Sequence, residues 1–268
     1  MTRHSHGKFD DGVWRRLRDW YQMPLGQSLL EQESKQISRV LPNLFGYHLL
    51  QISSLDSGNL FEHSRIPDKI LMTLEPALKT GETALYGQAD VLPFAAESLD
   101  VILLPHVLDF ETNPHEILRE TERTLIPEGH VVIIGFNPIS TWGMWRLLSK
   151  WRGKVPWCGS FITLLRLKDW LALLGFDIVS TDRVFFRLPI NHLGAIKKLE
   201  FMERFCKRWC QRLGAAYVVV ARKRVSTMTP IRPGWQLKRR LVPGGLAEPS
   251  TRILHRQSTD KISINQPT

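Results

Sequence analysis

The chain has 268 residues, 43% hydrophobic and 23% charged, a balance that fits one α/β domain with extensions better than two independent domains. No run approaches the roughly 18 apolar residues of a membrane span, and the first residues place charges ahead of any apolar core. A transmembrane anchor and a secretory leader are therefore not expected, and the cytoplasm is the expected compartment.

The net charge of +10 is unevenly spread. Residues 80–130 hold ten acids against two bases, residues 197–224 nine bases against two acids, and residues 225–268 seven bases against two acids. Such a basic C-terminal half suits RNA, phospholipid or another anionic partner, and equally a solvated surface. Cys158, Cys206 and Cys210 are expected as thiols. Cys206 and Cys210 stand four apart on a predicted helix, but no second ligand pair completes a metal site, so packing is expected.

In chain order, residues 1–46 predict an N-terminal helical cap, with a helix from Gln27 to Leu41 ended by Pro42. Tyr47 to Ile52 reads as a first strand, Ser57 to Arg65 as a short helix, and Lys69 to Leu74 as a second strand ending at Glu75-Pro76. Ala84 to Ala89 is a weak third strand leading to Asp90. Asp100 to Leu104 is a fourth strand. Asn113-Pro114 opens a helix with Ile117, Leu118, Thr121 and Leu125 on its apolar side, and Pro127-Glu128-Gly129 stops it before a buried strand at Val131 to Ile134.

Residues 138–166 interleave Trp142, Trp145, Trp151, Trp157 and Phe161 with Arg146, Lys150, Arg152, Lys154 and Arg166. They predict an insertion over a site. A helix from Leu167 to Leu174 precedes a sixth strand, Phe176 to Ser180. A second insertion, 188–213, holds a helix with apolar residues three or four apart. Ala216 to Ala221 is the seventh strand, and residues 225–268, rich in Pro, Gly, Arg and Ser, predict a disordered basic tail.

Asp90, Leu92-Pro93-Phe94, Ser98-Leu99-Asp100, Arg123, Leu125, Pro127 and Gly129 together resemble the type-11 methyltransferase domain of the class I S-adenosylmethionine-dependent methyltransferases. Gly46 to Leu50, Leu104-Pro105-His106, Asn113-Pro114-His115 and Gly135 to Pro138 resemble a little-characterised bacterial subgroup of that class. The resemblance runs from about Trp20 to Arg224. It implies a Rossmann-like α/β fold: a seven-stranded, mostly parallel sheet with its last strand antiparallel and helices on both faces, spanning 47–224. It also implies S-adenosylmethionine as cofactor, bound across the carboxyl ends of the first, second and fourth strands.

On that resemblance the cofactor would meet Gln51, Ser53 and Ser54 after the first strand, Glu75 at its ribose, Asp90 and Val91 at its adenine, and Leu104 and His106 on its methionine side. The family's acid and G-x-G turn are replaced here by Gln51, Ser53 and Leu55, and leucine at a glycine position should displace the loop. His106 is the candidate general base, with His115 second. Asn137, Trp142 and Trp145 are candidate substrate contacts, Asp109 and Glu111 are read as solvating a loop, with orienting a substrate as the alternative, and Asp100 as bracing a turn. Three functions follow: methyl transfer to a small or amphipathic acceptor, a catalytically degenerate binding or regulatory protein, and RNA binding or RNA methylation. The acceptor and the oligomeric state are not encoded in any of these motifs.

Overall fold

A computed structural model of the chain describes residues 12–53, 60–75, 84–149, 155–186 and 214–224. Ser54 and the rest of the turn after the first strand, the helix expected within 188–213 with Cys206 and Cys210, and the tail from 225 onward lie outside these residues.

Seven strands, β1 (His48–Ile52), β2 (Asp68–Thr73), β3 (Ala84–Tyr86), β4 (Leu99–Pro105), β5 (Leu125–Phe136), β6 (Phe176–Val184) and β7 (Ala216–Lys223), form one sheet in the order β3-β2-β1-β4-β5-β7-β6. Neighbours among β1 to β5 pair in parallel, and β7 runs antiparallel to both β5 and β6. This is the expected Rossmann-like sheet with an antiparallel last strand. β1 lies beside β4 although two strands separate them in the chain. Connections leave in opposite directions at that point, which opens a crevice at the carboxyl ends of the strands.

The central strands read as continuous apolar runs because both faces of the sheet are covered. Successive side chains alternate between faces. Leu49, Leu71, Leu103, Val132 and Ile134 form one core with Trp14, Leu17, Tyr21, Leu29 and Ile37 of α1 (Val13–Tyr21) and α2 (Pro24–Val40). Leu50, Met72, Ile102, Leu104 and Ile133 form the other core with residues of two helices that follow β4 and β5 in the chain, introduced below. Each fully buried leucine or isoleucine contributes roughly 1.5–3 kcal/mol of transfer free energy. No helix among the described residues is long and apolar enough to cross a membrane.

Several boundaries differ from expectation for local reasons. α2 begins at Pro24, because a proline in the first helical turn has no N–H to leave unsatisfied. Residues 60–63, expected within a helix, form turns: the Ser64 N–H bonds to the Phe61 carbonyl, and the Ser64 hydroxyl accepts from the Ile66 N–H. A short helix, α3 (Val107–Phe110), follows β4 and leads to α4 (Pro114–Thr124). β5 starts directly after α4, with Glu128 absorbing the Pro-Glu-Gly kink at a φ of 66°. β6 continues to Val184 because it pairs with β7 along its length.

The segment read as the first insertion contains α5 (Thr141–Ser149). α6 (Leu164–Leu173) starts behind Thr163, whose hydroxyl accepts the Arg166 N–H. The second core is closed by Ile117 and Leu118 of α4 and Leu167 and Leu171 of α6.

Candidate active site at the carboxyl ends of the strands

The turn between α2 and β1 is braced from β4. Asp100 accepts from the Tyr47 and His48 N–H groups, each at 2.9 Å. A Cβ on Gly46 would lie 2.2 Å from that of Asp100, so the close approach requires glycine. The Leu92-Pro93-Phe94 turn is held from α4. Glu120 accepts the Leu92 N–H at 3.1 Å, and the guanidinium of Arg123 donates to the Leu92 and Phe94 carbonyls while paired to Glu120. The Arg123 of the sequence motif therefore shapes the loop that presents Asp90 and Val91.

At the end of β1, Ser53 is buried and its N–H donates to the Met72 carbonyl at 3.0 Å. Gln51 shares the sheet face of Leu49 and is buried. Its Oε1 has no hydrogen-bond partner among the described residues. Glu75, just past β2, is 8% exposed and pairs with Arg18 of α1 at 2.8 Å. Asp90 is half-buried beside the Gln88–Val91 bridge, and Val91 is 66% exposed. Leu104 is buried among the side chains facing α4 and α6. Glu75 thus follows β2, and Asp90 follows the neighbouring edge strand β3.

His106 has a different environment from that expected of a base. It is 0% exposed and adopts the left-handed conformation, φ 57° and ψ 10°, between β4 and α3. Its Nε2 lies 2.9 Å from Glu33 Oε1 of α2, its Nδ1 lies 3.2 Å from Asp109 Oδ2, and its ring packs on Phe136 with centroids 4.1 Å apart. Burial alone would lower its pKa, but the Glu33 charge and the hydrogen bonds to Asp109 and Glu33 outweigh burial and raise it to about 9. With both nitrogens committed and no face open to solvent, the imidazole offers no lone pair to an acceptor.

Asp109 is also buried, against the expectation of a solvated loop. Its Oδ2 accepts the Phe136 N–H at 2.9 Å, while Oδ1 has no hydrogen-bond partner among the described residues. Burial raises the Asp109 pKa, opposed by its hydrogen bond to His106. The Tyr21 hydroxyl donates to Glu33 Oε2 at 3.4 Å, and burial, reinforced by the Glu33 charge, raises its pKa well above the usual value. Glu111 accepts from the Trp14 indole at 3.0 Å. His115 is exposed and packs over the Trp170 ring.

Two of the three expected substrate contacts are interior. The Asn137 amide donates to the Gly214 carbonyl at 2.9 Å and its Oδ1 accepts the Ile139 N–H at 3.0 Å, so it braces the chain after β5. Trp142 is 0% exposed, packed between Trp20, Phe136, Trp157 and Phe185. Trp145 alone of the three has an open face, at 46% exposure. Arg18, Tyr21 and Glu33 carry no local signal in the sequence, because their partners lie 57 residues away for Arg18 and 73 for Glu33. Only the fold brings them to the strand ends.

A mostly parallel seven-stranded sheet of this order is the Rossmann-like fold of the class I methyltransferases. The methyltransferase domain family matches residues 69–133. An uncharacterised Escherichia coli protein, YafS, is 33% identical over 212 residues, covering 78% of this chain and 82% of that protein. An uncharacterised Mycobacterium tuberculosis protein is 28% identical over 166 residues, and the match spans 57% of its length. The crystal structure of an S-adenosylmethionine-dependent methyltransferase from Thermotoga maritima superimposes with a TM-score of 0.61 at 18% identity, covering 80% of this chain and 98% of that one. The chain belongs to the class I S-adenosylmethionine-dependent methyltransferases with a type-11 methyltransferase domain. S-adenosylmethionine is its cofactor.

Proposed function

We propose that the enzyme methylates a small or amphipathic acceptor, in the cytoplasm, at a site bounded by Gln51, Ser53, Glu75, Asp90, Val91 and the turn at His106. The observation that carries this assignment is that Glu75 follows β2, the neighbour of β1 at the crevice, and Asp90 follows β3, the next strand out. An acid at Glu75 suits a ribose diol, and an acid beside the open backbone of Val91 suits the edge of an adenine. The Oε1 of Gln51, without a hydrogen-bond partner among the described residues, adds to the fit. A buried acceptor left unpaired costs about 1–3 kcal/mol, which a donor on a bound ligand would remove.

When bound, the cofactor supplies a methyl group already activated on a sulfonium. The chain's residues bind, orient and exclude water, and no covalent enzyme intermediate is required. We assign no proton transfer to His106. Ile139, Met144 and Trp145 are exposed after the carboxyl end of β5, an apolar lip that suits an amphipathic acceptor. An RNA acceptor has less support. Trp142, Trp157 and Phe161 are buried and offer no face on which a base could stack.

Incubating the protein and methyl-labelled cofactor with an extract of cells lacking the gene tests the acceptor class. Label is expected in a small, solvent-extractable product. Label confined to RNA would contradict the assignment.

A further inference from the structure

The buried cluster of Glu33, His106, Asp109 and Tyr21 has no part in methyl transfer as assigned above, yet it joins three helices to the end of β4. Burying ions costs several kcal/mol each, and an apolar cluster of equal volume would often be as stable. What the ionic cluster adds is direction. His106 sits in a conformation that costs a residue with a Cβ about 1–2 kcal/mol, and it is fixed from three sides. Its N–H bonds to the Ile134 carbonyl at 2.8 Å, Nδ1 faces Asp109 of α3, and Nε2 faces Glu33 of α2. Asp109 in turn holds the Phe136 N–H. Links run from the N-terminal helices to the strand ends at Glu33 to His106, Arg18 to Glu75 and Gln32 to the Phe185 N–H, and Trp14 reaches Glu111 just past α3. Glu33 reaches the end of β4, the strand beside β1 at the crevice.

We propose that Glu33 is a positioning residue for the cofactor site: from α2 it holds the ring of His106, and through it the left-handed turn after β4. The N-terminal helices then complete the site as well as covering the sheet. The inference rests on the turn at His106 lining the methionine side of the cofactor, as proposed above. The charged and titratable groups facing His106 are Tyr21 of α1, Glu33 of α2 and Asp109 of α3, with Arg146 of α5 acting on Asp109.

Calorimetric titration of the full chain with S-adenosylmethionine tests this, comparing wild type, Glu33→Gln and Leu29→Ala at about pH 6 and about pH 8.5. Gln keeps an acceptor for the imidazole without the charge, so Glu33→Gln should match wild type at the lower pH. At the higher pH its affinity should fall about ten-fold, within the range for coupled sites, while wild type holds. Leu29→Ala, which only opens a cavity in α2, should keep wild-type affinity at both. The proposal is overturned if Glu33→Gln tracks wild type at both pH values, or if Leu29→Ala weakens binding equally. A folded wild type that binds no cofactor overturns the site assignment itself, and the inference with it.

Discussion

Both ring nitrogens of His106 face carboxylates in a site closed to water, and this makes the residue a stability switch. Its folded pKa is raised to about 9 from an ordinary 6.5. The folded state therefore binds the proton more tightly than the unfolded chain. That contribution is complete below about pH 6.5 and is lost as pH rises through about 9. Asp109, also raised, adds a slope of the same sign at lower pH, and Tyr21 titrates above the window. The thermal midpoint should fall by several degrees between about pH 6.5 and 9. His106→Asn tests the source, because asparagine tolerates the left-handed backbone and does not titrate. A variant as pH-sensitive as wild type would exclude His106.

β4, α4 and the core of β5 are legible in the sequence because their signals are local: apolar runs for strands covered on both faces, and Asn-Pro to open the helix. The end of α4 is not, since the helix stops at Thr124 and Pro-Glu-Gly lies inside β5. Nor is α5. Gly143 lowers the helical reading of its segment, yet a Cβ there would lie 1.8 Å from the Pro138 carbonyl oxygen, so close packing demands the glycine. The tryptophans around it predict an insertion over a site, because periodicity does not reveal which core a side chain enters. Trp142 fills the core between α1 and β5, whereas Trp145, on the same helix, is half open. Trp142→Ala should cost about 3–5 kcal/mol in chemical denaturation, as large cavities do. Trp145→Ala should leave the denaturation midpoint unchanged and reduce methyl transfer. Equal loss of stability in both would refute the distinction.

Across the whole molecule, the fold could be inferred from one stretch of about fifty residues, but the site could not. The motif residues Arg123 and Asp100 brace turns, while two of the groups that contact the strand ends, Arg18 and Glu33, come from helices near the other end of the chain. Long-range ion pairs of this kind leave no periodic trace, and the departure from the family at Gln51, Ser53 and Leu55 draws attention away from them. The residues that replace the usual glycine turn are only part of the answer, since α1 and α2 approach the same crevice. The most direct test is calorimetric titration of the folded full chain with S-adenosylmethionine, alongside Glu75→Gln and Asp90→Asn. Saturable binding is expected in the wild type, weakened about ten-fold or more by each substitution, in line with lost charge-assisted hydrogen bonds. No binding at about millimolar cofactor, an affinity near −4 kcal/mol or weaker, or binding indifferent to both substitutions, would contradict the account.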